Sequence, residues 1–423
     1  MNITEKILAK ASEKDKVRPG EIVDAKVDML MVNDITGPLA VESFKKIGAP
    51  QVWDTRKVVI VLDHQIPASS IKAAELHKIM REFAREQKIP YLHDVGDGGG
   101  VCHQVMPENG YVMPGAIIVG ADSHTCTYGA FGAFATGIGS TEAAAVLATG
   151  KIWLKVPETI KIGVEGRFKE YVTPKDLILF IIGQIGADGA TYQGVEFSGK
   201  SIRDMSVAGR MTLCNMTVEM GAKNGIIQPD EKTLEFLEGR TKEAIDSVEW
   251  IRSDHDSSYE RILDFDVSDL EPQVSCPSSV NNTKPVSKVA GVKIDQAFLG
   301  SCTNGRLEDL RLAAEILRGK KVKGGVRMLV IPASLEVYLQ ALKEGLLEIF
   351  VKAGGFVCNP TCGPCLGGHI GTLGPGEVCI SSSNRNFIGR MGSREASVYL
   401  SSPVTVAASA LTGRITDPRE LGV

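Results

Sequence analysis

The chain has 423 residues, 43% of them hydrophobic, which is more than one ordinary core can absorb and predicts a globular protein of roughly two to four domains. Its 47 Lys and Arg nearly balance 51 Asp and Glu for a net charge of −4, and no run of like charge is long enough to attract nucleic acid or a lipid surface. The opening MNITEKILAKASEKDKVRPG has no apolar stretch, and no later segment is apolar for about 18 residues, so neither a signal peptide nor a membrane span is expected and the expected location is cytoplasmic.

Taken in chain order, KVVIVLDHQ (57–65) and GAIIVGADSHT (115–125) read as buried parallel strands that end in polar, chemically capable residues. A helix is predicted between them over 69–87, and the glycine-rich GAFGAFATGIGSTEAAAVLATG (129–150) reads as helical. A boundary falls near 157–172, and the Pro-, Ser- and Asn-rich stretch 266–291 reads as a linker. Beyond it, DQAFLGSCTN (295–304) and EVCISSSNRN (377–386) repeat the strand pattern around helices at 306–319 and 334–354. The alternation predicts α/β layers in three domains, 1–160, 161–284 and 285–423, with chemistry at the carboxyl edges of the sheets.

Nine cysteines spread over a long chain do not make a disulfide scaffold. Cys362-Gly-Pro-Cys365 admits a redox dithiol, half of a zinc site, or two ligands of an iron–sulfur cluster. The following LGGHIGTLGPG is too glycine-rich for the helix a dithiol needs. Cys302 adds a third thiol; Cys358 or His369 would have to complete a zinc site, whereas a cluster with three cysteines leaves one iron open. Cys102, Cys126, Cys214, Cys276 and Cys379 read as small apolar residues.

Acid–base candidates are Asp63 and His64, the Asp122-Ser123-His124 run, His103 after three glycines, and Glu219. One histidine beside an acid is usually a structural pair; several together argue for chemistry. Arg385 and Arg390 offer planar forks for carboxylates. His77 reads as a packing or surface residue of its helix, and His93, His255 and His369 carry no motif.

In this order, LDHQ (62–65), GGGVCHQV (98–105), GADSHT (120–125), CNMTVEMGA (214–222), SCTN (301–304), TCGPCLGG (361–368) and NRNFIGR (384–390) resemble the aconitase superfamily of iron–sulfur hydro-lyases over nearly the whole chain. The segment 129–142 and the chain length resemble its large-subunit branch, shared by 3-isopropylmalate dehydratases and homoaconitases. The resemblance implies three α/β/α domains around a central cleft, with Cys302, Cys362 and Cys365 holding a [4Fe-4S] cluster and Asn215 and Asn384 close to it. It pairs Asp63 with His64, Asp122 with His103 and Glu219 with His124, and gives Asn33, Ser123, Arg385 and Arg390 to the substrate, although the family often has glutamine where Asn33 stands.

Single-chain relatives carry a swivel domain that ITDPRELGV (415–423) does not reach, so a small swivel-type subunit is the expected partner in a hetero-oligomer, contributing the base and part of the substrate pocket. The expected reaction interconverts 2- and 3-isopropylmalate through 2-isopropylmaleate in leucine biosynthesis, with homocitrate isomerisation second. A zinc-stabilised or RNA-binding non-catalytic relative is the alternative of another class, and the acidic balance speaks against RNA.

Overall fold

A computed structural model describes residues 1–96, 98–241 and 248–422. The chain gathers into two compact units, one drawn from Met1–Asp97, Cys102–Glu165 and Ala190–Phe265, the other from Gly98–Val101, Gly166–Gly189 and Asp266–Val423.

In the first unit, five short strands form an all-parallel sheet in the order Tyr91–His93, Val58–Val61, Met29–Asn33, Ile117–Gly120, Phe134–Gly137. Val58 to Val61 are all buried, as strands covered on both faces must be. The register sets Asn33 opposite Val61, Val61 opposite His93, and Gly120 opposite Gly137, so neighbouring strands finish almost level. Helices Gly37–Ile47, Ile71–Gln87 and Ser140–Thr149 contribute Phe44, Phe83 and Leu147 to a core with Leu30, Ile60 and Val119. Ser70 caps the second of these helices by accepting the amide of Ala73.

The segment 129–150, expected to be helical throughout, is helical only from Ser140. Gly132 turns the chain at φ 76°, and Phe134–Gly137 then pairs with Ile117–Gly120 as an edge strand. Sheet pairing of Phe134, Ala135 and Thr136 outweighs the helical bias of the alanines around them. A second sheet in this unit runs Asn224–Ile227, Gly194–Ser198, Thr159–Glu165, Arg261–Asp266.

The second unit holds a seven-stranded mixed sheet ordered Thr283–Pro285, Gln273–Ser275, Ser397–Ser401, Val378–Ser381, Gln296–Leu299, Arg327–Val330, Phe356–Val357. Its last five strands are parallel; the first two pair antiparallel. The stretch expected to be a linker therefore supplies two strands, because Gln273, Val274 and Ser275 are buried against Ser397–Ser401 despite their polar neighbours. Helix Leu307–Leu317 buries Leu310, Ala313, Ala314 and Leu317, the stripe that helical spacing dictates. The long helix expected over 334–354 divides into Leu335–Lys343 and Leu346–Ala353 at Gly345, φ 72°. Among the described residues no helix is long and apolar enough to cross a membrane.

Gly129 lies in the buried 3-10 segment Ser123–Phe131, where a Cβ would stand 1.6 Å from the carbonyl oxygen of Gly225. Backbone cannot yield as a flexible side chain does, so Gly129→Ala should cost at least about 3 kcal/mol of unfolding free energy. Urea unfolding checks this; a wild-type midpoint would contradict the close approach.

Candidate active site

Asp34, Asp63-His64 and Asp122 each follow the end of a parallel strand of the five-stranded sheet, where peptide N–H groups are free to point at side chains. Asp34 accepts the amides of Asp63, His64 and Gln65 at 2.9–3.0 Å, and His77 Nε2 lies 3.1 Å from its Oδ2. It ties the turn carrying His64 to its own strand and to helix Ile71–Gln87. Asp63 in turn holds His64 Nδ1 at 2.6 Å through Oδ1 and accepts the amide of Cys102 at 2.7 Å through Oδ2.

Asp122 is the second hub. His103 Nε2 is 2.8 Å from its Oδ1, which also takes the amide of His124 at 2.8 Å, while His64 Nε2 and Asn33 Nδ2 each stand 3.5 Å from Oδ2. His103 Nδ1 meets the Tyr128 hydroxyl at 3.0 Å, and His124 Nε2 meets Glu219 Oε1 at 2.9 Å. All three imidazole–carboxylate pairs read from the resemblance are thus formed within the first unit. A carboxylate on one ring nitrogen fixes the tautomer and orientation of the other.

Burial disfavours charge on every member, so the sign of each shift shows which force wins. For His64, desolvation pulls the pKa down, but the charges of Asp63 and Asp122 and their hydrogen bonds outweigh it and hold the imidazolium well above the ordinary histidine value. For Asp122, desolvation is likewise opposed by His103, His124 and His64, which keep the carboxyl well below the usual carboxylate range. Asp34 is also depressed, burial being overcome by His77, His64 and two backbone amides. Asp34 and Asp122 are therefore held toward the carboxylate form and His64 toward the imidazolium, an arrangement able to donate a proton.

In the second unit, Cys302 sits on the turn Ser301–Asn304 after strand Gln296–Leu299, and Cys365 on the turn Gly363–Leu366 with Cys362 just before it. All three thiols are buried. Asn384 Nδ2 points at Cys302 Sγ from 3.4 Å and its Oδ1 takes the Cys365 thiol at 3.5 Å, so one amide bridges the two cysteines. Ser301 Oγ approaches the same two sulfurs at 3.8 and 3.9 Å, and Arg390 Nη2 reaches Cys365 Sγ at 3.5 Å. Ser301 adopts φ 79°, a left-handed conformation that costs a non-glycine residue about 1–3 kcal/mol and is kept here where its hydroxyl meets the thiols. Soft sulfur donors with N–H and O–H groups aimed at them fit a cysteinyl iron group and suit oxygen-seeking metals poorly.

Arg385 is half-buried in the same loop as Asn384 and Arg390. Asn33 is buried beside Asp122, but its Oδ1 accepts the amides of Ile35 and Thr36 and the Thr36 hydroxyl, which builds the turn into helix Gly37–Ile47. Ser123 is half-buried next to Asp122. Asn215 belongs to the first unit, where its amide donates to Thr127 Oγ1 at 2.9 Å. His369 Nε2 lies 3.1 Å from Thr361 Oγ1, and burial pushes the Cys358 thiol up to about 11. Sequence reasoning gave no role to Asp34, Tyr128 or Ser301 and read His77 only as a packing or surface residue of its helix. Asp34 carried a signal, an acid directly after an apolar run; His77 on its helix carried none.

Three imidazole–carboxylate pairs in the first unit and three buried thiols in the second are the chemistry of an α/β enzyme able to move protons and to hold a soft metal group. Residues 5–413 match the aconitase family (aconitate hydratase), and the chain belongs to that family; it is a hydro-lyase. It is 59% identical over 423 residues, covering 100% of this chain and 99% of the relative, to the "Probable 3-isopropylmalate dehydratase large subunit" of Methanothermobacter thermautotrophicus. To the "Probable methanogen homoaconitase large subunit" of that organism it is 54% identical, covering 99% of this chain and 98% of the relative. Among solved structures, Thermococcus kodakaraensis aconitase X in its holo-form shares the fold with a TM-score of 0.50 at 15% identity, over 86% of this chain and 84% of that one.

Because the Asp34 carboxyl is depressed in the folded chain, its contribution to stability is fully present above the unfolded aspartate value of about 3.9 and is lost as pH falls through the lower folded value. Asp34→Asn turns one acceptor oxygen into a donor facing amide or imidazole N–H. The variant should be about 2–4 kcal/mol less stable at pH 6, and the gap should narrow as the pH falls below about 3.9. A gap in urea unfolding that is absent or independent of pH would count against the hub.

Proposed function

We propose that the chain is the large subunit of a two-protein 3-isopropylmalate dehydratase, a cytoplasmic enzyme of leucine biosynthesis that interconverts 2- and 3-isopropylmalate through 2-isopropylmaleate. What carries this reading is the gathering of Cys302 and Cys365 by Asn384 and Ser301, in a chain whose similar relatives bear dehydratase names. Cys302, Cys362 and Cys365 would hold a [4Fe-4S] cluster. Such a cluster supplies Lewis-acid chemistry at an iron that no cysteine occupies.

The residues of this chain do the rest. His64, held protonated by Asp63, gives its Nε2 proton to the departing hydroxyl of the substrate, which leaves as water when the C–O bond breaks. The electrons of the adjacent C–H bond form the alkene, and that proton passes to a base on the small subunit. Water then adds back with the opposite regiochemistry. In the first unit the Asp122–His103 and Glu219–His124 pairs would orient substrate oxygens, with Ser123 and Asn33 as further polar contacts, and in the second unit Arg385 and Arg390 would offer guanidinium forks to the substrate carboxylates. The partner is a small subunit of swivel type, as the large-subunit names of the relatives suggest.

His64→Asn should lower kcat by about 100-fold or more while iron content stays at the wild-type level. Activity that needs protonated His64 persists through neutral pH and falls as pH rises through its raised pKa. Asp63→Asn removes the charge that raises it, so the alkaline limb of the kcat profile should move down toward about 6.5. Coincident limbs in wild type and Asp63→Asn would reject His64 as the acid.

A homoaconitase reading is favoured by the 54% relative, since both substrates share the hydroxy-dicarboxylate head and differ in an apolar or a carboxylate-bearing arm. Discrimination of that kind is worth a few kcal/mol. In the complex with its small subunit, kcat/KM should favour isopropylmalate over homocitrate; a preference of tenfold or more for the tricarboxylate, about 1.4 kcal/mol, would assign homoaconitase instead.

A further inference from the structure

Lys175 is fully buried on helix Pro174–Ile185, in the second compact unit, and no part of the acid–base or thiol chemistry above uses it. Its ammonium donates to the carbonyl of Ser382 at 2.9 Å and of Ser383 at 2.5 Å. Those two peptides directly precede Asn384, whose side chain bridges Cys302 and Cys365. Among the described residues no carboxylate lies at salt-bridge distance from this buried ammonium, which makes it expensive, and the neighbouring Asp176 accepts the amides of Thr173 and Gln273 and the Thr173 hydroxyl. Helix and strand could be joined here by a neutral donor or by apolar packing at lower cost. A charge kept at such a place points to compensating charge nearby.

We propose that Lys175 is a positioning residue for the cysteine-held cluster: it fixes the Ser382–Ser383 backbone so that Asn384 addresses both sulfurs, and it offsets the negative charge that the thiolates bring into a buried site. Burial lowers the Lys175 pKa to about 7, opposed first by the charge of Cys365 and then by those of Asp309, Cys302 and Asp176. A second cation acts on the other cysteine loop. Arg306 donates to the carbonyls of Cys302 and Thr303 at 2.5 and 2.6 Å, but its amide and charge are matched by Asp309. Arg306 braces the Cys302 loop through its carbonyls, as Lys175 braces the Ser382–Ser383 backbone.

The inference rests on the cluster reading, and the experiment separates the two. Wild type, Lys175→Gln, which keeps an N–H donor without charge, and Lys175→Met, which keeps neither, are reconstituted anaerobically with iron and sulfide. Cluster reduction potential, iron retained under air, and circular dichroism of the apo chains are then recorded. Both variants should show a lower reduction potential than wild type, since removing a nearby positive charge disfavours the added electron, and Lys175→Met should lose iron at least tenfold faster. Wild-type potential and retention in both variants would overturn the proposal while leaving the cluster intact; failure of the wild type itself to take up iron would overturn the cluster reading instead. Hydrogen exchange of the apo chains reads the positioning role separately: because the Ser382 and Ser383 amides are already bonded to Phe298 and Ser381, the comparison is between wild type and Lys175→Gln, and amides 382–384 should exchange at least tenfold faster in the variant. Equal exchange in the two chains would contradict the positioning role.

Discussion

Carboxylates held away from water at the strand ends are the constraint on which the first unit depends, and they are tolerable only because peptide N–H groups and partner rings replace the lost hydration. An unpaired buried carboxylate would cost several kcal/mol. Asp34 avoids that cost with three backbone amides and His77; Asp122 does so with His103, the His124 amide and the approach of His64. Parallel strands finishing almost level at one edge are what make this possible, because the turns that follow them present amides in a small volume. The raised His64 pKa is a consequence of that network and would not survive its dissolution.

The second unit meets the same constraint with sulfur. Ser382 Oγ donates to the carbonyl of Gly300 and accepts its amide, joining the ends of the strands Gln296–Leu299 and Val378–Ser381 from which Cys302 and Asn384 emerge. Held that way, the thiol loops need little reorganisation to take a metal group, and the left-handed Ser301 is the visible strain of the arrangement.

Much of this was legible in the sequence for a physical reason: buried parallel strands are written as short apolar runs, and the first polar residue after each run falls at the sheet edge. LDHQ, GADSHT and GSCTN were readable on that rule, and the cysteine spacing with its glycines narrowed the chemistry. Partners contributed by helix interiors were not readable. His77 and Lys175 sit among ordinary helical residues, and only folding brings them to Asp34 and to Ser382–Ser383. The stretch 266–291 misled because its polar composition hides Val274 at the centre of an antiparallel pair, where neighbouring strands supply what the local sequence lacks.

Mössbauer spectroscopy on the chain reconstituted with iron-57 and sulfide, before and after addition of a hydroxy-dicarboxylate, tests most directly the claim that the thiol set carries a cluster with one reactive iron. The account predicts four irons per chain, three indifferent to the hydroxy acid and one whose spectrum changes on its addition. A colourless chain that binds zinc, or four irons that all ignore the substrate, would contradict it.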